Sequence, residues 1–375
     1  MSLPPPSHAL DPAAIQLTLD PWARSEASAL SFEPETVATA PVDVAVESSR
    51  WAPIPLPADR GPDARPLVFI DGVRRVEARV IARVPSTAGE ALHYGLLGAF
   101  AVGGVRAVDG PPTLLAPRVV RLLILGGGIE LSPLKIQLDT SSFTYAPLSV
   151  PEMSPEAPMQ GLQTAMRRAE ADLARDLAGE AASGARSTRA AASPARGQIE
   201  LGDLAPLAQG SLIIADGPLA FLERTRTPLV GLVKSIHRTY LEPKERELLT
   251  ALAPGERTPI FAILDQNRRY SWYLRLGRGG PADHPLAGIA RLECGSAAGV
   301  EAAVAIAGRS APGLLRCAST RDRDPRSPQN LVPVGGLEAL LRHRLGDPGL
   351  ARRAITAHLA RAARAQPAAS GALWP

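Results

Sequence analysis

The feature that most constrains this chain is a change of period. Residues 66–148 carry strand-like patterns, and residues 158–180 switch to a helical one. Val76, Ala78, Val80 and Ala82 alternate with Glu77, Arg79, Ile81 and Arg83, the two-residue period of a half-buried strand over 66–85. Two further β segments, near 90–109 and 117–148, follow with Gly and Pro between them, so three long sequential antiparallel strands are expected. Leu162, Met166, Ala169, Leu173 and Leu177 then recur at spacings of three and four, one face of a helix. A short apolar run in "SLIIADGPLAFL" predicts a fourth strand over 211–215. Beyond it, 227–241, 258–276 and 287–294 read as strands, and 242–253, 298–308 and 335–365 as helices, the last long, basic and amphipathic. Three strands, a helix, a strand and then mixed elements predict an α/β domain on a mixed sheet, flanked by helices, rather than a purely alternating βαβ wind.

The flanks differ from this body. Residues 1–65 are rich in Pro, Ala and Ser and read as an extended N-terminal arm with anchors such as Trp22 and Trp51. The body runs over 66–365. It is interrupted at 179–208 by an insertion whose start, "GEAASGARSTRAAASPARG", has the small, polar composition of a disordered segment. Residues 366–375 read as a flexible tail. Of the 375 residues 45% are apolar but only 4% aromatic, so the core must be built from Ala, Leu, Val and Ile. A net charge of +4, from 41 basic and 37 acidic residues, permits nucleic-acid binding without demanding it. The first residues lack the basic and apolar regions of a signal peptide, and "ALHYGLLGAFAVGGV" is broken by His93 and Tyr94 and short for a membrane span. A cytoplasmic protein is expected. Cys294 and Cys317 form no metal-type cluster.

Three acids stand out in this order of elements. Asp71, in "PLVFIDGVRRVEARV", is read as ending the first strand, and Asp216 as ending the fourth. Pro218 stops that strand from running on. Glu170 lies on the intervening helix, about 60° from the centre of the apolar stripe at 100° per residue. Taken singly, an Asp-Gly after an apolar run is most often a turn, and a helix-flank Glu is most often solvated. Asp176 lies as far off the stripe on its other side, and Glu200 precedes Asp216 by sixteen positions; periodicity does not choose among Glu170, Asp176 and Glu200. The chemistry that wants such a cluster is metal-assisted phosphodiester cleavage. Hard divalent cations take oxygen ligands, and two of them about 3.5–4 Å apart serve both the attacking and the leaving oxygen. Gly after each Asp lets a backbone or a substrate phosphate approach closely. Elsewhere, His237 reads as a surface histidine or an acid near a phosphate. Tyr270, Trp272 and Tyr273, beside Arg268, Arg269 and Arg275, fit a base-stacking platform or a strand with aromatics on one face.

At this point the residues resemble the NurA nucleases, partners of HerA-type translocating ATPases in DNA end processing. The resemblance rests on "FIDGVRRVEARV", the helix "MRRAEADLARDL", "LIIADGPL" followed by "PLVGLVKSIHRTYL", and "DPRSPQNLVPVGGLEALLRHRLGD", over residues 66–355. Its most specific element is the "DGPL … GLVK" pairing, with Lys234 eighteen positions after Asp216. It implies an RNase H-like fold and a two-metal, Mn²⁺- or Mg²⁺-dependent deoxyribonuclease acting on single-stranded DNA or duplex ends. It also implies a homodimer docked on a HerA-type hexameric ATPase. Carried over by position, Asp71 and Asp216 match the two Asp ligands. Glu170, preceded by Arg167 and Arg168, matches the helix Glu, and Lys234 matches a Lys that binds phosphate or stabilises a leaving group. The chain departs from the pattern where a late Tyr and His support the metal site. It has "SPQNLVPVGGLE" there, in which Asn330 and Glu338 are the residues able to substitute. That departure motivates a second reading, a non-catalytic dimeric DNA-binding adaptor of the ATPase. A third is a metal-dependent phosphatase of a small molecule.

Overall fold

A computed structural model describes residues 15–20, 40–56, 66–86, 89–107, 112–138, 142–178, 211–219, 228–234, 240–280, 283–320, 322 and 327–365. Trp22, Glu200, His237, the insertion at 179–208 and the tail at 366–375 lie outside the described residues. The strands are β1 (Gln16–Leu19), β2 (Val42–Asp43), β3 (Leu67–Ser86), β4 (Gly89–Ala107), β5 (Thr113–Leu125), β6 (Leu134–Gln137), β7 (Ser142–Ser149), β8 (Leu212–Asp216), β9 (Leu229–Val233), β10 (Phe261–Ile263), β11 (Arg269–Arg275) and β12 (Ile289–Gly295). The helices are α1 (Ala157–Leu177), α2 (Pro243–Ala251), α3 (Gly299–Cys317), α4 (Val332–Arg344) and α5 (Pro348–Ala365).

The described strands form one sheet in the order β2-β10-β11-β12-β9-β8-β3-β4-β5-β7-β6, with β1 also paired to β3. Its centre is an RNase H-like arrangement. β3, β4 and β5 run antiparallel in sequence, the chain crosses through α1, and β8 returns parallel to β3 with β9 parallel to β8. The mixed sheet expected from the period change is therefore present. The two described pieces of the first 65 residues add β1 alongside β3 and β2 alongside β10, and Trp51 Nε1 donates to the Glu245 carbonyl (2.9 Å).

Three segments differ from the sequence expectation. The stretch 117–148 is three strands, because the chain bends at Gly126–Gly128, with φ of +83° at Gly127 and +73° at Gly128, before β6 and β7 form; β7 lies parallel to β5. The helix expected over 335–365 is two, because Gly346 takes φ +77° and Pro348 has no N–H to continue α4. Asp347 Oδ1 then accepts the Leu350 N–H (2.5 Å) at the start of α5. Finally, the alternation along β3 is broken by a bulge between Val76 and Ala78. The bulge turns Glu77 inward, where its side chain is fully buried and accepts from Tyr145 Oη (2.5 Å) and Arg75 Nη2 (2.6 Å).

Side-chain alternation separates two cores. On one face Val68, Ile70, Phe100, Val102, Leu122 and Ile124 pack against Leu162, Met166, Ala169, Leu173 and Leu177 of α1, the stripe read from the sequence. Each fully buried Leu contributes about 1.5–3 kcal/mol. On the other face Leu67, Phe69, Val73, Leu212, Ile214, Val230 and Leu232 meet α3 and α4 through Ala307, Ala311, Leu314, Leu337 and Leu341. Among the described residues no helix is long and apolar enough to cross a membrane.

Candidate active site

The centre of the sheet brings Asp71 and Asp216 side by side. β3 and β8 run parallel, and their last paired residues are Ile70 and Ala215; one step on come the two acids, on neighbouring strands. Alternation puts both on the face that α3 and α4 cover, since Leu67, Phe69 and Val73 of β3 and Leu212 and Ile214 of β8 belong to that core. Lys234, just past the end of β9, follows Val230 and Leu232 onto the same face. Its Nζ donates to Asp216 Oδ2 (2.9 Å) and Asn330 Oδ1 (3.1 Å).

Asp71 corrects one sequence expectation. It does not end a strand: β3 continues to Ser86, and Asp71 is opposite Gly103 of β4. What ends there is the neighbour, β8, so Asp71 is a mid-strand residue at an opening in the sheet. It is 5% exposed. Its Oδ1 accepts the Gly72 N–H (2.8 Å), while Oδ2 is buried and has no hydrogen-bond partner among the described residues. A buried, unpartnered carboxylate oxygen is costly and unusual in a folded chain.

Glu170 arrives from the opposite side. Gly72 faces α1, and its missing side chain leaves the space that the Glu170 carboxylate occupies: a Cβ on residue 72 would overlap Glu170 Oε1 and press on Met166 Cγ (3.0 Å). The glycine after Asp71 thus admits a second acid, not the backbone or phosphate anticipated from the sequence. Asp176, the rival on the same helix, is turned away and paired with Arg118 of β5 (2.6 Å). From the other face α4 contributes Glu338, 8% exposed and bonded to Arg342 Nη2 (2.6 Å). Leu337 and Leu341 lie over Gly103, the partner of Asp71, which places this part of α4 above the acids.

The charges act on one another. Burial, then Asp216, holds the Asp71 carboxyl well above the usual range; Glu170 and Glu338 add to this and Lys234 opposes it. Glu170 is half-buried as a residue, but enclosure of its carboxyl, followed by Asp216, pushes it up to about 8. Burial works against the charge of Lys234, yet Asp216, Asp71 and Glu338 outweigh it and keep the ammonium protonated above its ordinary range.

Comparison with solved structures adds a likeness in fold. The solved NurA nuclease from Sulfolobus solfataricus is similar to this chain in structure. The similarity covers 84% of this chain and 89% of that one, at 10% identity and a TM-score of 0.42. No family model and no curated protein matches the chain.

Among the described residues, no three Asp, Glu, His or Cys side chains lie together closely enough to hold a metal ion as they stand. The donor chemistry nevertheless fits a hard divalent cation: oxygen ligands only, an orphaned oxygen on Asp71, and carboxylates that raise one another's proton affinity. Asp71, Glu170 and Asp216 are the candidate ligands, with Glu338 close enough to act on Asp71. The aromatic platform is not formed. Trp272 and Tyr273 are fully buried and Tyr270 is 6% exposed, while Arg275 is turned inward to the carbonyls of Ala287, Leu249 and Pro285. Both faces of β11 are covered: Tyr270 and Trp272 share a core with Ala307 and Ala311 of α3, and Tyr273 lies with Leu241, Leu249 and Phe261 on the other face. The sequence offered no sign of Glu293, which holds the turn after Asp216, beyond one acid within the apolar run "AGIARLEC".

Proposed function

We propose that this chain is a metal-dependent deoxyribonuclease that hydrolyses phosphodiester bonds, with Asp71, Glu170 and Asp216 holding Mn²⁺ or Mg²⁺. The observation that supports it most is the buried, unpartnered Asp71 Oδ2 amid further acids brought from β8, α1 and α4. Divalent ions held there supply an acidified water for attack and positive charge for the departing 3′-oxygen. The protein's own part is to hold the three carboxylates on separate rigid elements and to keep Lys234 charged. Lys234, already on Asp216, is placed to meet a substrate phosphate. The resemblance carried by "DGPL … GLVK" adds the biological frame: exonuclease or single-strand endonuclease activity in DNA end processing, as a cytoplasmic homodimer working with a HerA-type ATPase.

The adaptor reading predicts a decayed site. In such a site one or more of the acids is replaced by a neutral or apolar residue, whereas Asp71, Glu170 and Asp216 are all retained as carboxylates. Cleavage of single- and double-stranded DNA with Mn²⁺, with and without the ATPase, tests the proposal. Wild type is expected to cut and Asp71→Asn to be inactive. Equal activity of the two, or none from wild type with the ATPase present, overturns it.

A further inference from the structure

The turn that follows Asp216 crosses from one sheet face to the other. Asp216 lies on the α3–α4 face, and three residues later Leu219 packs into the core beneath α1. The crossing is made at Gly217, which takes φ +93° and donates its N–H to the Leu232 carbonyl (2.8 Å). On the far face the Leu219 N–H donates to Glu293 Oε1 (2.7 Å). Glu293 is fully buried on β12, directly opposite Gly231 of β9. Gly231 supplies the room: a Cβ there would lie 2.8 Å from the Gly217 carbonyl, 2.9 Å from Leu219 Cγ and 3.1 Å from Glu293 Cγ. Glu293 is itself held by Arg291 Nη1 and by Arg269 Nε (3.2 Å), and the Arg291 guanidinium lies over the Tyr240 ring, 4.8 Å from its centroid.

We infer that Glu293 is a positioning residue for Asp216: it clamps the 216–219 turn across the space left by Gly231, and so aims a carboxylate it does not touch. Arg269 and Arg291 neutralise it, so its free oxygen serves the Leu219 amide alone. The spacing of "DGPL" and "GLVK" then has a mechanical meaning, because the second segment carries both Lys234, which bonds Asp216, and Gly231, over which the turn folds. The inference rests on the proposed function for its consequence but not for its geometry.

Two variants separate positioning from general stability. Gly231→Ala keeps every charge but puts a methyl group between the turn and Glu293, pressing the two apart. Glu293→Gln keeps an oxygen for the Leu219 amide while losing the ion pairs. Mn²⁺ affinity by calorimetry is expected to fall about 10–100-fold in Gly231→Ala. It is expected to stay within about threefold of wild type in Glu293→Gln, even where that variant melts earlier. Amide exchange at Leu219 is expected to be at least about tenfold faster in Gly231→Ala, with β11 and β12 still protected. Unchanged Mn²⁺ affinity and unchanged Leu219 exchange in Gly231→Ala overturn the inference while leaving the nuclease reading intact. Absence of Mn²⁺ binding in wild type overturns the nuclease reading, and the Leu219 exchange rate still decides the clamp.

Discussion

Asp71-Gly72 lies inside a 20-residue strand that runs on well past it, whereas Asp216-Gly217 closes a 5-residue one. Both are an acid and a glycine after an apolar run. At the first, the glycine is ordinary extended backbone whose value is empty space, filled by the Glu170 carboxylate. At the second nothing lies near the missing side chain, and the value is conformational, a φ of +93° that turns the chain across the sheet. The acids differ in the same sense. Asp71 has an orphaned buried oxygen and no cation in contact, while Asp216 is half-buried and paired with Lys234. One carboxylate is disfavoured by burial among like charges, and the other is ion-paired.

That contrast is broken most decisively by neutralising each acid. Asp71→Asn and Asp216→Asn are each expected to lower Mn²⁺-dependent cleavage by about 10³-fold. Their metal-free stabilities should diverge. Asp71→Asn removes a like charge and should melt at or above wild type. Asp216→Asn leaves Lys234 without its carboxylate and should lose about 1–3 kcal/mol in urea unfolding. Loss of stability in both variants would erase the distinction.

The glycines come next. Gly72→Ala should destabilise by about 1–3 kcal/mol, because its Cβ meets Glu170 and Met166. Adding Glu170→Ala should restore most of that stability without restoring cleavage, a coupling that a double-mutant cycle measures. Gly217→Ala should cost about 1–2 kcal/mol from its positive φ alone, with no such rescue.

The pH dependence has a definite sign. Burial, then Asp216, raises the Glu170 carboxyl from 4.5 to about 8, and burial raises Asp71 in the same direction. Between pH 4.5 and 8 the folded chain therefore binds more protons than the unfolded one. The metal-free protein should lose stability as pH rises through this window and level off above it. Saturating Mn²⁺ should flatten or reverse the slope, which thermal melts across the window would read. The smallest effect belongs to Asp176→Asn. It breaks an ion pair with Arg118 whose side chains are 15% and 28% exposed, and should cost about 0–1 kcal/mol with cleavage unchanged.

These contrasts also mark what the sequence made legible. Strand alternation, the α1 stripe and the order of elements were readable, because period 2 and period 3.6 are local properties of the chain. Asp71, Glu170 and Asp216 were picked out by their residue types and their order, and the fold brings the other two close enough to act on Asp71. The split of 335–365 was signalled by Gly346 and Pro348 but outweighed by the basic amphipathic pattern around them. The alternation read as strand as far as residue 85, but the unbroken run through Asp71 was hidden because Asp-Gly carries a turn preference that paired neighbours on β4 override. The burial of Tyr270, Trp272 and Tyr273 depends on α3 covering one face of β11 and Leu249 of α2 with Leu241 covering the other, a long-range fact. Glu293 was invisible for the same reason, since only the fold brings it to Leu219, 74 positions away.

The central claim is that the unpartnered carboxylate of Asp71 and its neighbours form a divalent-cation site. Calorimetric titration of Mn²⁺ into wild type and Asp71→Asn addresses it without reference to any substrate. The account predicts saturable binding in wild type and at least about 100-fold weaker binding in the variant. Equal binding in the two, or none in wild type, would contradict it.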